Sequence, residues 1–515
     1  LERSYLLIHN SRLILGPPGC GKTYTLIGLV KDALQRGVHP SRIGVVSFTT
    51  KAIGEFVTRS CAQFNLERKD FPHFRTLHAT GYHGLGLQTT DVMGRDDYNK
   101  AGDMLGVDFY GADFISPHDG IILPSIGGSG SKYLQMIMRA SYRQVSLDEE
   151  YNYTGDRNLF FDKLVHIDRQ LTRYKEENLK FDFCDMIKKY PELVASPSLD
   201  MLIVDEAQDL TPLQWSMVSF MADNSEETII AGDDDQAIHR WTGVDVHRLM
   251  EVSDRVDVLK QSYRLPQAVW SLAARISRRI PDRMEKEFFP REEEGNVTRV
   301  FSLRSVPLHE GSWTLMARTN GYAQDMADQL REWGYYFSVK GKTSVSRETL
   351  DVMSVWKDLQ EGKAVGISRL TSFYKGVSKT GEDAVVKRGS IKLFDATAPD
   401  DLLTYDKLVS QYGLLAPLTR NAASIARLSE EERLYIRAIE RRGESIEDEP
   451  RIKLSTIHAM KGGEDDNVAV YTGSTKACLE GKHPEDEHRI FYVAVTRAKE
   501  NLYIIESDKK YRYMI

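Results

Sequence analysis

Gly16-Pro17-Pro18-Gly19-Cys20-Gly21-Lys22-Thr23 spells G-x-x-x-x-G-K-[ST]. Its chemistry is phosphate binding. The glycines let backbone N–H groups turn toward an anion at a helix N-terminus, Lys22 reaches the β- and γ-phosphates, and the Thr23 hydroxyl suits Mg2+. A second stretch, 201–241, carries acids in matched places. Residues 201–204 and 228–231 are short apolar runs of the kind that form buried parallel strands. Each ends in acidic residues. Ligands of an open α/β sheet bind at the carboxyl ends of its strands. Asp205, Glu206, Asp233 and Gln236 are therefore predicted to project into one cleft. A carboxylate pair there suits Mg2+ binding together with activation of a water. Alone, such a stretch would be a solvated loop after a core strand; the phosphate loop supplies the other half of a nucleotide site.

These residues need a frame that brings strand ends together. The spacing predicts a strand over 12–15 before the glycine loop and a helix over 24–35 after it. Further strands are predicted over 43–48, 258–264, 311–319, 336–339, 452–456, 468–471 and 501–506. Helices are predicted over 132–143, 160–174, 322–333 and 489–497. Ser429-Glu430-Glu431-Glu432 opens another helix with a capping box, running to about 441. Gly127-Gly128-Ser129-Gly130 reads as a flexible loop. Arg275, Arg278, Arg279 and Arg283 fall on one helical face, which charge runs usually turn to solvent. The α/β pattern is interrupted twice, over 86–185 and 366–445. The expected fold class is α/β: two parallel-sheet domains, each with a mainly helical insertion.

The chain has 515 residues, too many for one core. It is 41% hydrophobic and 28% charged, an ordinary soluble composition. No apolar run is long enough to span a membrane, and no signal peptide is visible. Cys20, Cys61, Cys184 and Cys478 lack paired spacing, which argues against a zinc site or a disulfide framework and fits a reducing compartment. The net charge is −7. Bulk positive charge is thus excluded as a grip on nucleic acid; a local groove with stacking side chains is not.

Taken in order, the motifs resemble those of the UvrD/Rep/PcrA-type superfamily 1 (branch A) DNA helicases. Residues 16–23 match motif I and Ser47-Phe48-Thr49-Thr50-Lys51-Ala52 matches motif Ia. Val204-Asp205-Glu206-Ala207-Gln208-Asp209 matches motif II, and 232–243 match motif III. Gln261-Ser262-Tyr263-Arg264 matches motif IV. Residues 456–464 and 491–499 match motifs V and VI. The resemblance covers nearly the whole chain, the two insertions least. Three departures stand out. No glutamine precedes the first strand, where the family's adenine-contacting residue would lie. Motif III reads Trp241-Thr242-Gly243 where Trp-Arg-Gly is usual. Motif V reads Gly462-Gly463-Glu464-Asp465 where Gly-Leu-Glu-Phe is usual.

The resemblance implies two RecA-like P-loop NTPase domains with ATP between them. The first would comprise 1–85 and 186–265 with insertion 86–185; the second, 266–365 and 446–515 with insertion 366–445. Gly16, Pro17, Pro18, Gly19, Cys20, Gly21, Lys22 and Thr23 would cradle ATP, with Thr23 and Asp205 holding Mg2+. Glu206 would orient the attacking water, Gln236 sense the γ-phosphate, and Arg264 and Arg497 act as arginine fingers. Tyr263 and Tyr24 would stack on adenine, and Glu464 contact ribose. Phe48, Thr49, His78, Trp241 and His458 would touch single-stranded DNA. The implied activity is ATP-dependent translocation on single-stranded DNA, with 3′-to-5′ unwinding. Protein displacement without unwinding and a nucleotide-dependent DNA-binding switch are the alternatives. Expected partners are single strands and their junctions with duplex, together with replication or repair proteins. The expected setting is a bacterial cytoplasm, including that of a phage-infected host.

Overall fold

A computed structural model describes residues 7–109, 129–156, 158–381 and 383–515. The chain divides into two compact units. Unit 1 comprises Leu1–Gly295 and Lys482–Thr496; unit 2 comprises Asn296–Gly481 and Arg497–Ile515.

Unit 1 is built on β1 (Ser11–Leu15), β2 (Ile43–Ser47), β3 (Phe74–Thr76), β4 (Leu199–Asp205), β5 (Ser225–Gly232) and β6 (Val256–Val258). Their order across the sheet is β3-β2-β4-β5-β1-β6, and every pairing is parallel. Alternate residues of β4 explain its unbroken apolar run. Met201 and Ile203 join one core with Ile14, Val45 and Ile229. Leu202 and Val204 join another with Leu13, Val46 and Ile230. Both faces of the sheet are thus covered, as parallel sheets require. The second core also contains Tyr133, Met138 and Leu164, so the first insertion packs onto the sheet. Register sets Leu15 beside Gly232 and Ser47 beside Asp205. The strand ends carrying the chemistry are therefore neighbours along one edge.

The strand expected over 258–264 ends at Val258. Leu259 N still donates to Leu15 O at 2.9 Å, Gln261 forms an isolated bridge with Phe289, and Ser262 and Tyr263 then bond to the glycine loop, as described below. The helix after them, Gln267–Ser277, is shorter than the arginine spacing suggested. Arg283 lies beyond it and pairs with a buried carboxylate. Gly127 and Gly128 lie outside the described residues, and Ser129–Arg143 is a helix.

Unit 2 contains β7 (Asn296–Val300), β8 (Trp313–Ala317), β9 (Phe337–Val339), β10 (Lys342–Thr343), β11 (Val365–Gly366), β12 (Leu402–Leu403), β13 (Ile452–Thr456), β14 (Asp465–Tyr471) and β15 (Ala498–Ile505). Seven form a sheet ordered β10-β9-β13-β8-β14-β15-β7, parallel except for the β9–β10 hairpin. Trp313, Leu315, Phe337, Leu454 and Ala469 form part of its core. The second insertion has its own core around Trp356, Phe373, Tyr374 and Leu408. Among its described residues the regular elements are helices, joined by the short β11–β12 ladder and by isolated bridges at Val377–Ala426 and Val386–Leu414. The capping box opening Glu430–Arg441 is present.

Candidate nucleotide site and strand contacts

The glycine loop leaves β1 and enters the helix Lys22–Gln35. Gly16 N donates to Gly232 O at 2.9 Å, which fixes the loop to the end of β5. Gly19 and Gly21 adopt φ of +73° and +74°, where a side chain would be strained. A Cβ on Gly19 would also lie 2.3 Å from Arg264 Cβ. That closeness reflects two hydrogen bonds: Tyr263 N donates to Gly19 O at 2.8 Å, and Ser262 Oγ donates to Pro18 O at 2.7 Å. Motif IV is thereby tied to motif I through backbone carbonyls. Ser262 gave no sequence signal of this role.

Tyr24 and Tyr263 are 78% and 72% exposed. Both flank Gly21: a Cβ there would lie 3.7 Å from Tyr263 Cε2 and 4.0 Å from Tyr24 Cβ. Large aromatic side chains rarely stand so open beside one another, and this pair offers two ring faces beside the phosphate loop. Cys20, by contrast, is buried. Burial and Asp233 push its thiol up to about 12 against the opposing pull of Arg264, so it stays protonated and inert.

Lys22 Nζ lies 3.0 Å from Asp205 Oδ1 and 2.6 Å from Glu206 Oε1. Burial disfavours the ammonium, but the two carboxylates outweigh it and move its pKa upward. Burial and the adjacent Glu206 raise the Asp205 carboxyl, with Lys22 acting against them. Glu206 has φ of +53°, unusual for a residue other than glycine. Its amide donates to Asp205 Oδ1 at 2.8 Å and its carbonyl accepts from Asp209 N at 3.1 Å, holding that turn. Strain of this kind gathers at functional sites.

Gln208 carries the arrangement onward. Its Nε2 donates to Glu206 Oε2 at 2.5 Å, and its Oε1 accepts from Asp233 N at 3.1 Å. Gln236 Nε2 donates to Asp233 Oδ2 at 2.7 Å. Lys22, Asp205, Glu206, Gln208, Asp233 and Gln236 thus form one continuous polar chain across three strand ends. Behind it, Asp233, Asp234 and Asp235 are all buried. The Lys286 side chain has no solvent exposure; its Nζ lies 3.1 Å from both Asp233 Oδ1 and Asp235 Oδ2 and also binds Asp234. Arg283 makes a paired contact with Asp235, at 2.9 and 2.7 Å. Arg489 Nε donates to Asp234 O at 3.0 Å. Sequence reasoning missed Lys286 and Arg283. Three successive aspartates after a core strand were the available signal, because buried charge must be neutralised.

Asp205 supplies the hard oxygen a magnesium ion prefers, already paired with a cation in the form of Lys22. Thr23 begins the adjacent helix turn. These residues fit Mg2+ arriving with a nucleotide, since that ion takes few protein ligands and keeps phosphate and water for the rest. No cluster of three or more metal-binding side chains occurs among the described residues.

The expected strand contacts fall in different settings. Trp241 is 56% exposed. Phe48 is buried, its ring 5.6 Å from that of His239. Thr49 caps the helix Thr50–Phe64, accepting from Ala52 N at 3.2 Å. His78 is buried with its ring edge-on to Phe183 at 5.5 Å, and burial lowers its pKa to about 4. His78 thus lies in the core of unit 1. Thr242, where the family pattern has arginine, is buried and donates to His239 O at 2.6 Å.

Unit 2 begins its last segment at Arg497 of motif VI, which it sets against motif V. Arg497 is buried, with Nη1 donating to Gly463 O at 3.2 Å, and its carbonyl accepts from Asp465 N at 3.1 Å. Glu464 is exposed beside them and His458 is half-buried after β13. The unusual Asp465 is satisfied by Ser312 Oγ at 2.6 Å and Thr314 Oγ1 at 3.1 Å. Arg264 remains in unit 1, its Nη1 donating to Thr496 O at 3.4 Å.

Among the described residues, no helix is long and apolar enough to cross a membrane. Comparison with known proteins agrees with the motif order. The UvrD/REP helicase N-terminal domain matches residues 2–257, and the UvrD-like helicase C-terminal domain matches 389–509. The chain is 22% identical to a putative ATP-dependent DNA helicase YjcD of Bacillus subtilis, over 96% of this chain and 76% of that one. It is 20% identical to the ATP-dependent DNA helicase PcrA of Staphylococcus epidermidis, over 97% and 81%. With both domains matched around a complete phosphate loop and acidic strand end, the chain belongs to the UvrD/Rep/PcrA-type family of superfamily 1 helicases, whose motor domains are RecA-like P-loop folds.

Proposed function

We propose that this protein is an ATP-dependent helicase that moves 3′ to 5′ along single-stranded DNA and unwinds the duplex ahead of it. The observation that carries the reading is the hydrogen-bonded chain from Lys22 through Glu206 and Gln208 to Asp233 and Gln236. It links the phosphate clamp to the strand end that leads directly to Trp241.

In this reading Tyr24 and Tyr263 hold the adenine, the glycine-loop amides and Lys22 hold the phosphates, and Asp205 with Thr23 holds magnesium. Magnesium, when bound, neutralises charge on the β- and γ-phosphates. Phosphate reaching Lys22 displaces the two carboxylates now paired with it. That frees Glu206 to accept a hydrogen bond from a water and orient it for attack. Gln236 then exchanges its bond to Asp233 for one to the γ-phosphate or the water. A shift of Gln236 is passed along the five residues to Trp241, which changes its hold on a stacked base. Arg264 lies against Gly19 and supplies positive charge beside the phosphate loop.

Two measurements test this. ATP hydrolysis should rise several-fold when single-stranded DNA is added. In strand displacement at low protein concentration, duplexes with a 3′ tail should be unwound and those with a 5′ tail left intact. A preference for 5′ tails at equal DNA binding would overturn the polarity and leave the ATP site standing. Hydrolysis indifferent to single strands would overturn the translocase reading itself.

Trp241→Ala should weaken single-strand binding by about 1–3 kcal/mol, the range for one base–aromatic stack. Fluorescence anisotropy with labelled oligothymidylate measures it. An unchanged dissociation constant would remove Trp241 from the track.

A further inference from the structure

Tyr263 and Arg264 are successive residues, yet they are held against the glycine loop in different ways. The segment that carries them is clamped from two sides. On one side Ser262 N donates to Phe289 O at 2.8 Å, Phe289 N donates to Lys260 O at 2.6 Å, and Arg291 N donates to Leu265 O at 2.9 Å. On the other side stands the loop. Tyr263 N donates to Gly19 O, a backbone bond that no change of the side chain at 262 removes. The Tyr263 ring lies beside Gly21. Arg264 packs on Gly19 instead: a Cβ there would meet Arg264 Cβ, with Arg264 N and Ser262 Oγ each 3.0 Å away.

The Ser262 hydroxyl is what joins Arg264 to the loop. Ser262 has no solvent exposure. Its Oγ donates to Pro18 O at 2.7 Å, and it accepts from Leu265 N at 3.1 Å and from Arg264 N at 3.4 Å. A hydroxyl has one hydrogen and two lone pairs to offer, and all three are engaged. The two accepted bonds close a turn around Tyr263 and Arg264. The donated bond pins that turn to the loop. The Arg264 side chain starts from this turn, and its Nη1 reaches Thr496 O at 3.4 Å, long for a hydrogen bond. Packing alone does not call for a hydroxyl here, because a buried polar group must find partners that an alanine would not need.

We propose that Ser262 is a positioning residue for ATP hydrolysis: its hydroxyl holds Arg264 in register with the phosphate loop, so that the guanidinium meets the transferring phosphoryl group. The proposal rests on the reading of Arg264 as the cation beside the phosphates. It separates the two neighbours within motif IV. Tyr263 keeps its place through its own amide, so nucleotide binding does not depend on the hydroxyl. Arg264 does depend on it, and so does the chemical step.

The test sets single-turnover hydrolysis by the full chain, at saturating ATP with oligothymidylate present, beside equilibrium binding of a fluorescent ATP analogue. Misplacing a catalytic group by about 1 Å can slow a reaction about 10²-fold. Ser262→Ala should therefore slow hydrolysis by about 10–10²-fold while affinity stays within a few-fold. The same substitution made in Arg264→Ala should slow hydrolysis further by less than about twofold, because the group it positions is already gone. A purely structural role would give equal losses with and without Arg264, and that result would overturn the proposal. Ser262→Cys keeps the volume but bonds weakly, so it should resemble the alanine variant, and it carries the same comparison if Ser262→Ala does not fold. Full activity in Ser262→Cys would overturn the proposal by leaving the side chain with packing alone. A loss of affinity as large as the loss of rate would overturn it too, by assigning the hydroxyl to the shape of the loop. Unaltered hydrolysis in Arg264→Ala would sink the reading of Arg264 and this proposal with it; a slow Arg264→Ala with additive losses sinks this proposal alone.

Discussion

Glu206→Gln is expected to cut ATP turnover by about 10²–10⁴-fold, the usual contribution of a positioned acid–base group. Nucleotide affinity should stay within a few-fold. The reason lies in which bonds change. Glu206 Oε1 now faces Lys22 at 2.6 Å, and Oε2 accepts from Gln208 at 2.5 Å. A glutamine keeps the volume but loses the charge that orients water. Lys22 keeps Asp205 as a partner at 3.0 Å, so the phosphate clamp stays in place. Lys22→Ala should behave differently, losing both binding and turnover, because the cation itself is gone. Equilibrium binding of a fluorescent ATP analogue, set beside single-turnover hydrolysis, separates the two outcomes. Hydrolysis within fivefold of the unaltered protein in Glu206→Gln would remove Glu206 from its assigned role.

Lys286→Met should have the largest effect on stability. The Lys286 side chain is wholly buried and meets all three of Asp233, Asp234 and Asp235. Burial opposes its charge, yet the aspartates outweigh burial and raise its pKa, so the ammonium persists across the physiological range. Removing one partner of a buried ionic group costs about 3–5 kcal/mol, because the charge left behind is neither hydrated nor paired. Arg283 remains on Asp235 and moderates the loss without reaching Asp233. Urea denaturation followed by tryptophan fluorescence would measure the change. Adding Asp234→Asn to Lys286→Met should restore part of it, since one fewer charge is stranded. A loss below 1 kcal/mol would mean that the triplet does not depend on Lys286.

The central strands of the motor sheets were legible because they are buried on both faces. Residues 201–204 are apolar without a gap, and alternate side chains enter two cores. Helix starts were legible where side chains mark them, as at Ser429 and Glu432. The segment 258–264 misled because its residues look extended, while past Val258 they make only an isolated bridge to Phe289 and bonds from Ser262 and Tyr263 to the glycine loop. The same limit hid Lys286, whose role depends on aspartates about fifty residues earlier. The burial of His78 was equally hidden. Its place in the motif order pointed to a strand contact, and the packing against Phe183 that buries it is tertiary. Arg283 reads as one of a row of arginines until the helix ends at Ser277 and frees its side chain to turn inward.

Unit 1 is not continuous in the chain. Its final element, the helix Asp486–Val495, follows nearly all of unit 2 in sequence, yet Ile490, Phe491, Tyr492 and Val493 are buried. Arg489 from the same helix reaches the carbonyl of Asp234. During synthesis the N-terminal half therefore cannot complete its own core when its first 295 residues have emerged. The surface that receives this helix stays open until residue 496 has left the ribosome, after most of unit 2 has had time to form. Domains generally fold in order of emergence; here the second is threaded between the opening and the closing of the first. Cutting the chain after Gly295 would likewise leave a fragment that lacks one of its own helices.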